Sequence, residues 1–93
     1  MFYVIRVNAA IARLGINPQH VPADLRQRAQ EMGKSMGATP QEAALMLVSQ
    51  LPIAIRAPAD YRVVKLWVRE RRIRVENPAM QQAAANLGWQ HWP

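Results

Sequence analysis

The chain has no cysteine, so it forms neither a disulfide nor a thiolate metal site. Its two histidines, His20 and His91, have no partner at the spacing that metal ligands need. Ser35 and Ser49 lack a neighbouring base, and no glycine-rich phosphate loop occurs. The six carboxylates are scattered along the chain rather than paired. We therefore expect a protein that is not an enzyme and that uses neither a cofactor nor a metal.

Long hydrophobic runs are also missing. The longest, from Ala43 to Val48, is too short to span a bilayer. The opening MFYVIRV is too short and wrongly flanked for a signal peptide. Because disulfides are absent as well, we expect a cytoplasmic protein that has no contact with a membrane.

Positive charge is abundant by comparison. Twelve lysines and arginines face six acidic residues, which gives a net charge of +6 over 93 residues. A chain of this length suits one small domain, 1–93, with a modest core, so dimerisation or docking on a partner would add stability. A basic domain is expected to meet nucleic acid or an acidic protein surface.

The segment TPQE carries the sharpest local signal. Thr39 is the predicted N-cap, Pro40 suits the first helical position, and Glu42 completes a capping box. The helix 40–51 that follows is apolar around most of its circumference, so it should be buried on several sides. Pro52 ends it.

Proline, glycine and hydrophobic spacing predict the other elements. Phe2 to Val7 alternates like a short strand, and Asn8 is a candidate cap of a short helix that runs to Leu14. Further helices are predicted over 23–36, 58–74 and 78–87, the first ended by Gly37, the last capped by Asn77 and ended by Gly88. The predicted fold is mainly α: a bundle of four to five short helices, with or without one short N-terminal strand.

The helix 58–74 carries the most informative charges. Arg62, Lys65, Arg69 and Arg72 fall within about an 80° arc at 100° per residue. Four cations in one stripe repel one another unless something negative faces them, and a phosphate backbone is the natural partner. Arg71 and Arg74 crowd the last turn, where cations also offset the helix dipole. Plain solvated surface is the alternative interpretation of this stripe.

Two tryptophans, Trp89 and Trp92, follow the last predicted helix. Tryptophans near a chain end are usually folded back on the core, and we favour that interpretation here. Tryptophan is also enriched at binding hot spots, so the pair beside His91 is a candidate for binding a protein partner.

Three short features follow one another in residues 16–52. Val21-Pro22-Ala23-Asp24-Leu25 begins one predicted helix, Gly37-Ala38-Thr39 separates it from the next, and Glu42 lies near the start of that second helix. In this order they resemble the ribbon-helix-helix DNA-binding family of the Arc and CopG type, whose first helix, interhelical break and second-helix acid they match. The resemblance implies an intertwined dimer, a strand near His20 that faces the major groove, and a phosphate held at the helix N-terminus beside Thr39.

The apolar segment TPQEAALML is followed, further on, by the basic stretch from Val63 to Arg74. With these two segments, residues 40–75 are similar, more loosely, to excisionase-type winged helices. The basic stretch looks like their recognition helix and the strand after it, and TPQEAALML looks like the preceding helix. This likeness implies that the basic helix meets the DNA.

These observations predict a non-enzymatic nucleic-acid-binding protein, a homodimer that binds double-stranded DNA as a transcriptional regulator of phage or plasmid type. The alternative from another class is a protein-binding module, such as a phage-encoded inhibitor of a host defence or a helical subunit of a nucleoprotein complex. The apolar helix 40–51 and the two tryptophans motivate that alternative.

Overall fold

The structure is a computed structural model that describes residues 2–92. It contains six α-helices: α1 Phe2–Arg13, α2 Ala23–Met36, α3 Pro40–Ser49, α4 Ile53–Arg56, α5 Tyr61–Arg69 and α6 Pro78–Asn86. A 3₁₀ turn, Pro18–His20, lies between α1 and α2. No strand is present within this part of the chain, so the mainly α class is confirmed, with six helices where four to five were predicted.

The N-terminal strand is not formed, and Asn8 does not cap a helix. Helix α1 runs through both predicted elements, and Asn8 lies in its middle with a buried side-chain oxygen that has no hydrogen-bond partner. Val7, Ile11 and Leu14 are fully buried at spacings of four and three residues. Over only six residues, the apolar positions from Phe2 to Val7 fit the period of a strand as well as that of a helix. The contacts of α1 with α3 stabilise the helix.

Helix α3 is the centre of the fold, as its apolar circumference predicts. It packs against α1, α2 and α6. Seven of its ten residues are buried: Glu42, Ala43, Ala44, Leu45, Leu47, Val48 and Ser49. The predicted capping box is formed, because the Thr39 hydroxyl accepts from the Glu42 N–H and the Glu42 carboxylate accepts from the Thr39 N–H. The apolar surface of α3 is therefore covered within one chain.

Helix α2 has the predicted bounds and ends at Gly37, whose φ of 69° is the left-handed conformation that favours glycine. Its predicted apolar face is only partly used. Leu25 and Ala29 pack against the core, whereas Met32 and Met36 are 58% and 51% exposed. Buried Gly33 lets α2 approach α3 closely.

We expect Gly33→Ala to destabilise the fold by up to about 2 kcal/mol. A Cβ there would lie 3.1 Å from the Ala43 Cβ and would clash with the Tyr3 hydroxyl, which donates to the Ala38 carbonyl. Overpacking costs about 1–3 kcal/mol, and the better helix propensity of alanine returns about 1 kcal/mol.

Chemical denaturation measures the change in unfolding free energy. The proteins compared are the wild type, Gly33→Ala, Tyr3→Phe and the double variant Gly33→Ala/Tyr3→Phe. The glycine substitution should cost less in the Tyr3→Phe background, because that background lacks the clashing hydroxyl oxygen. Stabilisation by Gly33→Ala in the wild-type background would show that propensity outweighs the close contact.

Helix α5 is shorter than the predicted 58–74. Asp60 caps its start by accepting from the Arg62 N–H, and Arg71 follows its end with φ 61°. The Arg72 N–H then donates to the Trp67 carbonyl at 2.8 Å, so arginine holds the left-handed position that glycine usually takes in this helix ending. The turn directs Ile73, 3% exposed, into the core.

Helix α6 is close to its predicted range. Asn77 caps it by accepting from the Ala79 N–H, and Met80, Ala83 and Ala84 are buried. Gly88 follows with φ 75°. This ending turns the chain so that Trp89 and Trp92, both partly buried, pack against the core, as the favoured interpretation predicts.

Candidate nucleic-acid interface

Helix α5 displays three of the four predicted stripe cations on one exposed face. Val64 and Trp67 are buried on its inner side, which fixes the rotation of the helix. Arg62, Lys65 and Arg69 consequently face outward around a shallow depression that Leu66 also lines. We call these three residues the cationic face.

The three charges are not equally available. Arg62 pairs with Asp60, with 3.2 Å between the Arg62 Nη2 and the Asp60 Oδ2. Hydrogen bonds from the Arg62 side chain and N–H lower the pKa of Asp60, so this carboxylate stays charged and offsets Arg62. Within residues 2–92, neither Lys65 nor Arg69 makes an ion pair. These two cations dominate the face.

Arg71 and Arg72 lie beyond the end of α5. Both side chains are exposed, but the left-handed turn at Arg71 removes Arg72 from the helical stripe. The Arg72 carbonyl accepts a 2.5 Å hydrogen bond from the Thr39 hydroxyl, so the main chain here is tied to the start of α3.

Arg74 has a partner inside the protein. Its Nη2 lies 2.8 Å from the Glu42 Oε1, its Nε lies 3.0 Å from the Oε2, and its own N–H donates to the Oε2 at 2.9 Å. The Nη2 also reaches the Gly37 carbonyl at 3.3 Å. Its guanidinium thereby joins the loop after α5 to the start of α3.

The Glu42 carboxylate is buried but charged. Burial raises its pKa, yet hydrogen bonds from the Arg74 side chain, the Thr39 N–H and the Arg74 N–H together hold the pKa below its ordinary value. The same pairing raises the pKa of Arg74. Glu42 and Arg74 thus form a structural ion pair, half-exposed on the arginine side.

Thr39 and His20 complete the set of predicted nucleic-acid ligands. The Thr39 side chain is occupied, since it accepts from the Glu42 N–H and donates to the Arg72 carbonyl. His20 is exposed at the end of the 3₁₀ turn, where Asn17 caps the turn by accepting from the Gln19 N–H. Neither residue is among those that line the depression at the cationic face.

The predicted partner-binding tryptophans lie beside the cationic face. The Trp89 ring is 5.0 Å from the Tyr61 ring, and the Trp92 ring is stacked on Trp89 at 6.5 Å with 15° between the planes. The Lys65 Nζ lies 5.9 Å from the centre of the Tyr61 ring. We call Tyr61, Trp89 and Trp92 the aromatic cluster.

Tyr61 joins the cationic face to the two tryptophans, a role that was not predicted from the sequence. Tyr61 and Lys65 are four residues apart on α5, so they share one side of the helix, which is a signal the sequence does contain. The Tyr61 hydroxyl donates to the His91 carbonyl at 2.6 Å, which fastens the C-terminal segment to α5.

The fold and this surface define a small helical protein whose cationic helix face borders partly exposed aromatic rings. Compared with known proteins, the chain matches no family model, no curated protein and no solved structure. Within residues 2–92, no helix is long and apolar enough to cross a membrane. The same part of the chain holds no cluster of three acidic or histidine side chains that could bind a metal.

Proposed function

We propose that this is a non-enzymatic nucleic-acid-binding protein that contacts phosphates through the cationic face of α5. The observation that carries the proposal is the exposure of Lys65 and Arg69, one helical turn apart and without a carboxylate partner in the described chain. Phosphate contacts of this kind position a protein on nucleic acid without reading its sequence.

Duplex DNA is the proposed target, and transcriptional regulation by a phage or plasmid protein is the proposed role. The excess of positive charge supports DNA over a small anion, because steering by a net charge of +6 acts on a polyanion over a long range. The predicted homodimer would double the number of phosphate contacts. Since seven of the ten residues of α3 are already buried within one chain, a dimer interface would use residues outside that buried set.

We expect Lys65→Glu/Arg69→Glu to weaken binding to duplex DNA by roughly ten- to hundredfold. Each lost phosphate contact should also lower the slope of log affinity against log salt by about one. Fluorescence anisotropy with a labelled duplex, between about 50 and 200 mM salt, measures both quantities.

Arg6→Glu/Arg13→Glu is the matched control. Both arginines are exposed on α1, and this double variant changes the net charge by the same amount. It should retain most of the affinity if the face of α5 is the site. Equal losses of DNA affinity in the two double variants would mean that only the net charge matters and that α5 is not the site. Absence of DNA binding by the wild type at about 50 mM salt would refute the proposal altogether.

A protein-binding module remains the second candidate function, in the form of a phage-encoded inhibitor or a subunit of a nucleoprotein complex. Its support is the exposure of large apolar side chains outside the core. Phe2 is 80%, Ile53 70% and Ile5 56% exposed. Pull-down from the native host with and without nuclease separates the candidates, because a nucleic-acid bridge is lost on digestion and a direct protein partner is kept.

A further inference from the structure

The aromatic cluster and the cationic face form one continuous surface. Lys65 links the two, since it lies on the cationic face and its Nζ is 5.9 Å from the Tyr61 ring centre. Tyr61 in turn contacts Trp89 at 5.0 Å between ring centres. A polyanion bound by Lys65 and Arg69 would therefore lie close to the Tyr61 ring.

A depression lies beside these rings. Its lining consists of Tyr61, Gly88, Trp89, Gln90 and His91, and its volume is about 260 Å³. Gly88 borders open space, because a Cβ placed there would meet no atom within 4 Å. Gln90 and His91 are exposed and carry side-chain donors and acceptors that suit the edge of a nucleobase.

We propose that this surface binds single-stranded nucleic acid, with phosphates on Lys65 and Arg69 and one unpaired base against Tyr61 and Trp89. The inference rests on the proposed function and adds a second form of nucleic acid that the same cations would bind. Single-strand sites combine a cationic groove with aromatic side chains on which bases stack, and both parts are adjacent here.

A duplex cannot use the aromatic half of the surface. Its bases are paired and stacked on one another, so their faces are closed to protein side chains unless a base is extruded. A single strand presents those faces freely. The same cations then serve both forms, while Trp89 contributes to the single strand alone.

The test compares Trp89→Leu with Trp89→Phe. Leucine keeps an apolar side chain on the core but has no aromatic face, whereas phenylalanine keeps both. We expect Trp89→Leu to weaken binding of an oligothymidine of about 12 nucleotides roughly tenfold or more, with Trp89→Phe close to wild type. Affinity for a duplex of the same length should be the same in all three proteins.

A second measurement does not depend on the stability of the leucine variant. In Trp67→Phe/Trp92→Phe, Trp89 is the one remaining tryptophan of the chain. Addition of the oligothymidine should quench the Trp89 fluorescence, because a thymine stacks on the ring. Addition of the duplex should leave the Trp89 fluorescence unchanged. Absence of quenching at saturating single strand would overturn the inference.

The outcomes separate the two proposals. If Lys65→Glu/Arg69→Glu loses duplex binding but Trp89→Leu binds the single strand like the wild type, the base site is refuted and the proposed function stands. If the wild type binds neither form, both fail. If an acidic peptide binds the wild type and the oligothymidine does not, the surface would be assigned to a protein partner instead.

Discussion

Glu42→Ala should destabilise the protein by about 3 kcal/mol, a large share of the about 5–15 kcal/mol that stabilises a small domain. The carboxylate is 1% exposed and accepts from the Thr39 N–H, the Arg74 N–H and the Arg74 guanidinium. Alanine leaves both backbone donors without this acceptor. The Arg74 side chain is half exposed, so water can solvate its guanidinium once the carboxylate is gone. The loss of stability should therefore stay below the largest values for broken buried ion pairs.

Urea denaturation at neutral pH measures the effect, and Glu31→Ala is the control because Glu31 is exposed on α2. Glu42→Gln should lie between wild type and Glu42→Ala, since its amide oxygen can still accept from the Thr39 N–H. A loss below about 1 kcal/mol for Glu42→Ala would mean that the desolvation of the ion pair cancels its hydrogen bonds.

The pH dependence follows from the lowered pKa of Glu42. A carboxyl group whose pKa is lower in the folded state stabilises that state fully above its unfolded pKa of about 4.3. This contribution is lost as the pH falls through the folded pKa, because the unfolded chain then binds the proton more readily. Glu42→Gln lacks this titration, so its stability should fall less steeply than that of the wild type below about pH 5.

Leu45→Ala is expected to cost about 3 kcal/mol, within the range of about 2–5 kcal/mol for leucine truncation in a core. Leu45 is 0% exposed at the centre of α3, which is enclosed by α1, α2 and α6. Helices on three sides cannot all close on a smaller side chain, so a cavity should remain. Thermal and urea unfolding should both report the loss.

Met46→Ala, one residue along the same helix, is the matched comparison. Met46 is partly exposed and lines a shallow groove between α2 and α3, so its truncation should cost about 1 kcal/mol. Comparable losses of unfolding free energy in Leu45→Ala and Met46→Ala would contradict the conclusion that Leu45 is more deeply enclosed than Met46. A Met46 effect that grows with protein concentration would instead place the predicted dimer interface over this groove.

The sequence by itself determined the local elements whose signals lie within a few residues. Thr39, Pro40 and Glu42 form the predicted capping box, Gly37 ends α2 at the predicted position, and Asn77 caps α6. Capping depends on hydrogen bonds between residues two or three apart, so the chain can specify it before any tertiary contact forms. The burial of α3 is likewise readable from its composition.

Tertiary contacts decided the helical state of 2–13 and the end of α5. The apolar residues near the start of 2–13 fit the spacing of a strand as well as that of a helix. The segment is helical because one face of the helix packs against α3. Arg72 belongs to the stripe of Arg62, Lys65 and Arg69 only if the helix continues to residue 74. The turn at Arg71, which places Ile73 in the core, redirects the arginines that follow.

The candidate site divides in the same way. The periodicity of α5 alone placed Arg62, Lys65 and Arg69 on one face. Only the folded chain assigns Arg74 to Glu42, 32 residues away, and brings Trp89 beside Tyr61. Ion pairs and ring contacts between distant residues depend on the packing of the helices that carry them, and no local pattern in the chain encodes that packing.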